Sequence, residues 1–401
     1  TDVGHLVSDA DEGEDKLEKG AHREGKTAWQ VAEYYTKDFL AGLDALNISI
    51  NRKNLPKATD AIPEQIALIE KLEQNGHTYV ISDGVYFDTS TFPDYTKLSH
   101  ADLDNIQAGA RVEYNSQKQN PSDFALWKFS PKSHTRDMQW DSPWGVGFPG
   151  WHIECSALAM RFLGESIDIH AGGIDHIPIH HTNEIAQSES ASGKPFASIW
   201  VHSNFLTANG TKLSKSLGNS YTLQDIARKG FEPADFRLYG LQSHYRTQAD
   251  FTWSGLEAAR TRRKSLQALA DMRFQSAAGC IDPALLEDAH DTILRALQND
   301  LDTPGALASL SKLDSISDDV AETYVSDQHT FKVNIAKIDA LLGLGLSNSI
   351  DITDKQKKKI DNRQSARQEK NWPLADSIRD ELMFEGIGLR DTPVGQVWYR
   401  L

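Results

Sequence analysis

The sequence predicts an α/β fold with a parallel sheet, extended by an all-α bundle and a small terminal module. Three observations carry this prediction. From Gly150 to about Asp225, strand-like and helix-like stretches alternate, as in a nucleotide-binding sheet with its site at the strand C-terminal ends. From Leu256 onward, leucines recur at helical spacing. Near Ile350 a basic helix opens a last, separate segment.

In chain order, residues 1 to 25 are acidic and dotted with glycine, which reads as loop. Thr27 caps a helix whose apolar positions are Trp29, Ala32, Tyr35, Phe39, Leu43 and Leu46. Pro56 to Asp60 open a second helix with Ile66, Ile69 and Leu72 on its inner face. Tyr79 to Ile81 and Val85 to Phe87 flank Asp83-Gly84, a hairpin signature. Ala125 to Lys128 is the next strand-like piece, and the Gly, Pro and Trp-rich stretch Trp140 to Gly150 returns the chain to its core. The helical stretch around Leu256, Arg260, Arg262, Arg263 and Leu266 continues in Leu294, Leu297, Leu301, Leu307, Leu310 and Leu313, which reads as a bundle. Cys280 lies in a small-residue loop within it and reads as structural. The last segment holds the basic helix Lys355 to Arg367, then Asn371-Trp372, then a Gly-rich stretch reaching Trp398.

Composition narrows the class. The 401 residues are 39% hydrophobic and 25% charged, ordinary for a globular chain of two to four domains. No apolar run approaches the ~18 residues of a membrane span, and there is no signal peptide. Two cysteines far apart in sequence argue against a disulfide framework and for a cytoplasmic protein. The net charge of −15 argues against broad non-specific nucleic-acid binding, although local basic patches on an acidic protein can still hold an RNA.

The most informative stretch runs from Gly150 to Gln187. It holds Cys155, then a strand ending in Ile167, Asp168, Ile169 and His170. A Gly172-Gly173 turn follows, and then His180, His181 and Glu184. If the segment from Thr182 is helical, His180 and Glu184 stand four apart and share one face. Cysteine, histidine and glutamate are all zinc ligands, and a thiolate beside an imidazole favours zinc over hard cations. Any one of these residues alone reads as ordinary core. Together with Asp168, His170 and Asp175 they read as a binding site.

A second stretch, Lys212-Leu213-Ser214-Lys215-Ser216, places two lysines and two serines on a short loop suited to a polyphosphate. KLSKS resembles the KMSKS loop of class I aminoacyl-tRNA synthetases. GWHIECS, the HHxNEIAQS run from His180 and KLSKSLGN together resemble the cysteinyl-tRNA synthetase family, and the resemblance continues through Phe236-Arg237 and His244-Tyr245-Arg246 to the C-terminus. It therefore covers essentially the whole chain.

That resemblance implies a Rossmann-type class I catalytic domain over 1–225, with a connective insertion at about 79–135. It further implies a stem-contact region over 226–255, a helical bundle that binds tRNA over 256–349, and an anticodon-recognition module over 350–401. The expected activity is a cysteine–tRNA ligase: ATP-dependent activation of cysteine to cysteinyl-adenylate, then transfer to tRNA(Cys). One Zn²⁺ per chain on Cys155, His180 and Glu184 would select the thiolate, and Mg²⁺ would accompany ATP. Lys215 and Lys212 would neutralise charge at the phosphates, with Ser214 and Ser216 also binding ATP. Trp151, His170 and Asp175 would contact cysteine or its adenylate, His170 also serving catalysis. Arg367, Asp376, Asp391 and Trp398 would read the anticodon, and a monomer is expected. The family usually has a glutamate where Thr182 stands, which removes a charge beside the metal but no ligand.

The chain opens in what resembles the middle of the family's N-terminal segment. The resemblance therefore implies an N-terminally truncated sequence lacking the HIGH motif and one zinc-ligand cysteine, and inactive as it stands. Two alternatives remain at this stage. One is a cysteine ligase of the mycothiol pathway, which keeps zinc and adenylation but lacks a terminal anticodon module. The other is a catalytically inactive tRNA-binding fragment. A zinc hydrolase is disfavoured, because HHxNE lacks the HExxH arrangement.

Overall fold

The computed structural model describes residues 2–3, 16–101, 115–131, 135–214, 218–275, 280–281, 283–311, 324–325, 328–392 and 395–401. The chain forms two compact units, one of residues 1–41 and 50–203, the other of residues 42–49 and 204–401. Residues 1 and 4–15 of the acidic opening stretch, Leu313, Lys215 and Ser216 lie outside the described residues, and Lys16–Glu24, expected as loop, is helical.

The first unit begins with helices α1 (Lys16–Glu24) and α2 (Ala28–Ala45), whose last turn belongs to the second unit. Thr27 does cap α2: its Oγ1 accepts from the Gln30 amide at 3.3 Å, and the Gln30 side chain returns the bond to the Thr27 amide at 3.0 Å. Helix α3 (Ile62–Gln74) turns Ile69 and Leu72 into the core, as its spacing predicts. Strands β1 (Thr78–Ile81) and β2 (Gly84–Phe87) form the expected hairpin. They pair with β3 (Phe124–Phe129) and β4 (Gly147–Pro149) in an antiparallel sheet of order β1-β2-β3-β4. Gly147 to Pro149, read from sequence as a return to the core, is thus the fourth strand of this sheet. Val85, Phe87, Leu126 and Trp127 are buried in one cluster with Ile69 and Leu72, and that cluster includes Ile153 and Ala186 from the helices that follow.

Those helices are α4 (Trp151–Leu163) and α5 (Thr182–Ser192), separated by β5 (Ile167–Gly173). Strand β6 (Ala197–Ser203) runs parallel to β5, pairing Ile169 with Ile199 and His170 with Trp200. Alternation along the pair sends His170, Trp200 and His202 to one face and Ile169 and Ile199 to the other. Two sequence expectations are corrected here. His170 stands in mid-strand rather than at a strand end, and Gly172-Gly173 continue the strand instead of turning. Glycine is required at 172 by close approach: an added Cβ would lie 2.6–2.7 Å from the rings of His181 and His176.

The second unit opens with β7 (Leu206–Ala208), which pairs antiparallel with β8 (Thr211–Lys212) and parallel with β9 (Ala249–Phe251). Between them lie α6 (Leu223–Arg228) and α7 (Pro233–Leu241). Helix α8 (Trp253–Asp271) packs on α7 and is pinned there by Arg263, which donates to buried Asp235 at 2.6 Å. A two-residue parallel pair, β10 (Cys280–Ile281) with β11 (Tyr324–Val325), flanks α9 (Pro283–Gln298) and α10 (Thr303–Ser309). Helix α11 (Gln328–Leu342) completes the bundle, whose core includes Leu266, Leu269, Leu307, Leu310, Phe331 and Ile338. Leu301 departs from the expected leucine series. It sits in the turn before α10 with φ of 54° and is exposed.

The terminal segment holds α12 (Asp354–Gln368), α13 (Trp372–Phe384) and an antiparallel hairpin of β12 (Ile387–Thr392) and β13 (Gly395–Arg400). Its own core is Ile352, Ile378, Leu382, Ile387 and Trp398. Among the described residues, no helix is long and apolar enough to cross a membrane.

Candidate metal centre and substrate site

The centre is assembled where α4, β5 and α5 meet. Helix α4 presents Cys155 one turn in from its start. Its partner α5 is locked alongside by buried polar bonds: Gln187 Nε2 donates to the His152 carbonyl and to Ser156 Oγ, both at 2.6 Å, and Ser188 donates to Ser156 at 2.9 Å. Just before α5, Ile177–His181 form a wide π-helical turn that runs directly into the helix. His180 and Glu184 therefore keep the i, i+4 relation that the sequence suggested, with Nε2 and Oε2 3.6 Å apart.

Two groupings of donor atoms result, each with its atoms within 4.8 Å of one another: Cys155, His180 and Glu184, and His170, His181 and Glu184. Glu184 belongs to both and is fully buried. Its Oε2 meets His170 Nε2 at 2.9 Å, while its Oε1 has no hydrogen-bond partner. Burial raises its carboxyl above the usual range, and the hydrogen bond from His170 opposes that rise. Cys155 is pushed up to about 12 by burial first, then by the nearby charges of Glu184 and Glu154. Left to itself this pocket keeps the thiol protonated. A divalent cation would reverse that, supplying the positive charge that both Sγ and the orphaned Oε1 lack. The donor set fits zinc: one thiolate, one imidazole and one carboxylate.

The second grouping is bound up differently. His181 is buried and its Nδ1 meets His202 Nε2 at 2.8 Å. Burial, and then the surrounding imidazoles led by His170, take its pKa down to about 3. It is a neutral ring in a cluster of histidines that meet it edge-on or tilted. Sequence reading missed His152 and His202. His152 Nδ1 meets His180 Nδ1 at 2.9 Å, leaving the Nε2 of His180 directed to Glu184. Its position three residues before Cys155, on the same helix face, was the available signal.

The remaining predicted residues are placed as follows. Trp151 starts α4 and is partly exposed, its ring centroid 4.5 Å from that of His180, so it walls the same pocket. Asp175 lies on the exposed turn after β5. In the second unit, Lys212 ends β8. Ser214 donates its amide to Asn219 Oδ1 at 2.8 Å, and Asn219 Nδ2 donates to the Lys212 carbonyl at 3.1 Å. Asn219 thus staples the base of the loop. In the terminal segment, Arg367 meets Asp391 at 3.0 Å and lies 5.8 Å from the Trp372 ring. Asp376 pairs with Arg379 at 3.6 Å on the surface. Trp398 is a correction. Only 4% exposed, it lies in the module core with its backbone bonded to Gln275, so its ring is not available for stacking on a base. Trp372, 52% exposed beside Arg367, is the aromatic that sequence reading passed over.

Parallel strands β5 and β6 alternate with helices around this buried donor cluster, and the family that matches the chain is one of class I tRNA synthetases. The family described as tRNA synthetases class I (C) catalytic domain matches residues 4–261. Methionyl-tRNA synthetase of Mycobacterium tuberculosis bound by methionyl-adenylate shares the fold at 14% identity, with a TM-score of 0.53 over 86% of this chain and 81% of that one. The cysteine–tRNA ligase of Treponema denticola is 42% identical over all of this chain and 86% of its own length. Cysteine–tRNA ligase 1 of Burkholderia lata is 44% identical over 99% of this chain and 82% of its own length. The chain belongs to the cysteine–tRNA ligase family.

Proposed function

We propose that this chain serves the ATP-dependent activation of cysteine and its transfer to tRNA(Cys), contributing Cys155, His180 and Glu184 to a Zn²⁺ site. The observation that carries this reading is the convergence of those three donors around a fully buried carboxylate whose Oε1 has no partner. Cysteine and serine are near-isosteres that an apolar pocket separates poorly. Bound zinc would supply the soft Lewis acid that prefers a thiolate to a hydroxyl.

The chain's own residues then orient and neutralise. His170 holds Glu184 and His152 holds His180, which fixes the direction of both donors. Trp151 closes the side of the pocket, and Asp175 is placed to meet the amino group or the ribose. Lys212 and Lys215, with Ser214 and Ser216, gather the phosphates of Mg·ATP as the cysteine carboxylate attacks the α-phosphate and pyrophosphate leaves. Charge neutralisation and positioning supply the rate there. The terminal adenosine hydroxyl of the tRNA then takes the aminoacyl group from the adenylate. Residues 350–401 supply the anticodon contacts through Arg367, Asp376 and Asp391. This module favours a tRNA substrate over the amino sugar of a mycothiol-type ligase.

The test is metal content together with cysteine-dependent ATP–pyrophosphate exchange for Cys155→Ser. We expect about one zinc per chain before substitution, and loss of most of it afterwards. Full zinc occupancy in the variant would remove Cys155 from the ligand set and the proposal with it.

A further inference from the structure

The stretch that carries Lys212 and Ser214 is anchored in the second unit at both ends. Its lead-in hairpin turns at Asn209 and Gly210, with φ of 51° and 71°, the geometry that a two-residue turn between twisted strands requires. Asp250 on β9 locks that turn, its Oδ1 accepting from Thr207 Oγ1 and from the Gly210 amide, each at 2.7 Å. At the far end the Tyr221 ring packs against Phe251 and Trp253, with centroids 5.6 and 5.0 Å away, and Thr222 then caps α6. Leu213 packs against the cluster of Ala208, Ile226, Phe251 and Leu256, while its neighbour Lys212 is exposed.

One side chain spans this frame. Asn219 Oδ1 accepts from the Ser214 amide at 2.8 Å, and its Nδ2 donates to the Lys212 carbonyl at 3.1 Å. It therefore bonds the residues on either side of Leu213, as a neighbouring strand would, just where β8 ends. A carboxamide can do this because it donates and accepts from one planar group. Asn219 is half-buried and belongs to none of the apolar clusters, so its contribution lies in these two bonds. Leu213, Asp250 and Tyr221 already anchor the segment. What the two bonds add is the direction of the backbone from which Lys212 leaves.

We propose that Asn219 is a positioning residue for ATP: by holding the Lys212 carbonyl and the Ser214 amide, it fixes the backbone from which these two residues meet the phosphates. This rests on the reading of Lys212 and Ser214 as phosphate contacts. A lysine carries its charge on a flexible four-carbon stem, so its aim depends on where its backbone is held. Every group that must be ordered when a ligand arrives lowers affinity, and a backbone already fixed leaves only the side chain to order. Asn219 touches no phosphate in this role.

The experiment is equilibrium binding of Mg·ATP and of Mg·pyrophosphate to the full chain, per folded molecule, repeated with Asn219→Leu, Asn219→Gln and Lys212→Ala. Leucine keeps the approximate shape of asparagine without its bonds, and glutamine keeps the carboxamide on a longer stem. We expect Asn219→Leu to weaken both ligands about tenfold, the size expected for two lost hydrogen bonds, and Asn219→Gln to recover part of that loss. Should Asn219→Leu fail to fold, Asn219→Ala carries the same comparison. Binding within about twofold of the unsubstituted chain in Asn219→Leu, with weaker binding in Lys212→Ala, overturns the proposal and leaves the phosphate reading standing. A loss in Asn219→Leu that Asn219→Gln does not relieve also overturns it, because shape and not bonding then matters. No binding of either ligand by the unsubstituted chain, or binding that Lys212→Ala leaves unchanged, removes the phosphate reading and the proposal with it.

Discussion

The donor cluster of the first unit and the charged cluster of the terminal segment each gather side chains from more than one element around a carboxylate, Glu184 in the one and Asp391 in the other. They differ in what completes them. Around Glu184 the protein supplies histidines on one oxygen and nothing on the other, although the carboxylate is fully buried. Around Asp391 both carboxylate oxygens are met, although Arg363 Nε, like Glu184 Oε1, is buried without a hydrogen-bond partner. Arg363 Nη1 and Nη2 reach the two carboxylate oxygens at 2.7 and 3.1 Å, Arg367 adds a contact at 3.0 Å, and Gln396 also binds Arg363. A buried charge without a partner is costly, so the first arrangement suits the cation proposed for it. The second is a paired brace that holds a hairpin against a helix and leaves Arg367 and Trp372 at the surface.

The sharpest test of that contrast removes the brace. Arg363 is 2% exposed, and Arg363→Ala leaves Asp391 with Arg367 alone. The terminal segment should lose about 3 kcal/mol, the low end for breaking a buried pair, because Asp391 keeps one partner and some solvent. Hydrogen exchange across α12 and the hairpin would show it, while zinc content stays unchanged.

A smaller effect is expected on the other side. His170→Ala removes the partner of Glu184 Oε2 but no donor of the proposed ligand set. Zinc affinity should fall about 10–100-fold, with the fold stability of the terminal segment unaffected. Competition with a chelator measures this, and an unchanged affinity would mean that Glu184 is held by its helix alone.

The smallest effect is a pH dependence confined to the brace. Asp391 is held below the usual carboxylate range, first by the hydrogen bond from Arg363 and then by the charges of Arg363, Arg367 and Arg379. Its contribution is therefore complete above an ordinary aspartate value of about 3.9 and is lost as pH falls through the lower folded value. Acid unfolding of the terminal segment should lose part of its pH slope in Asp391→Asn, and an identical slope would assign the acid sensitivity elsewhere.

Much of the site was legible because it is local. The i, i+4 spacing of His180 and Glu184 survives because a helix fixes it, even with a π turn at its start. The Thr27 cap and the hairpin of β1 and β2 are equally short-range, although its turn is Ser82-Asp83, one residue before the expected Asp83-Gly84. The misreadings were of residues whose surroundings come from far away. Gly172-Gly173 suggest a turn by type, yet they are strand positions, and at Gly172 two imidazole rings leave no room for a side chain. Gly147 to Pro149 look like a connector and become a strand only because β3 lies beside them.

The sequence by itself determined the chemistry available: which residues can hold a soft cation, which loop carries lysines and serines, and which helix faces are apolar. Only the tertiary structure decided which of those groups meet. Cys155 and Glu184 are brought together by polar bonds between α4 and α5 that no spacing announces. Trp398 is buried because its ring packs among Ile352, Ile378, Leu382 and Ile387 and against Phe274, 124 positions before it in sequence, whereas Trp372 is 52% exposed at the start of α13. Backbone periodicity acts over a few residues and is written in the local sequence. Burial is the sum of contacts from distant segments, and it exists only once they have packed.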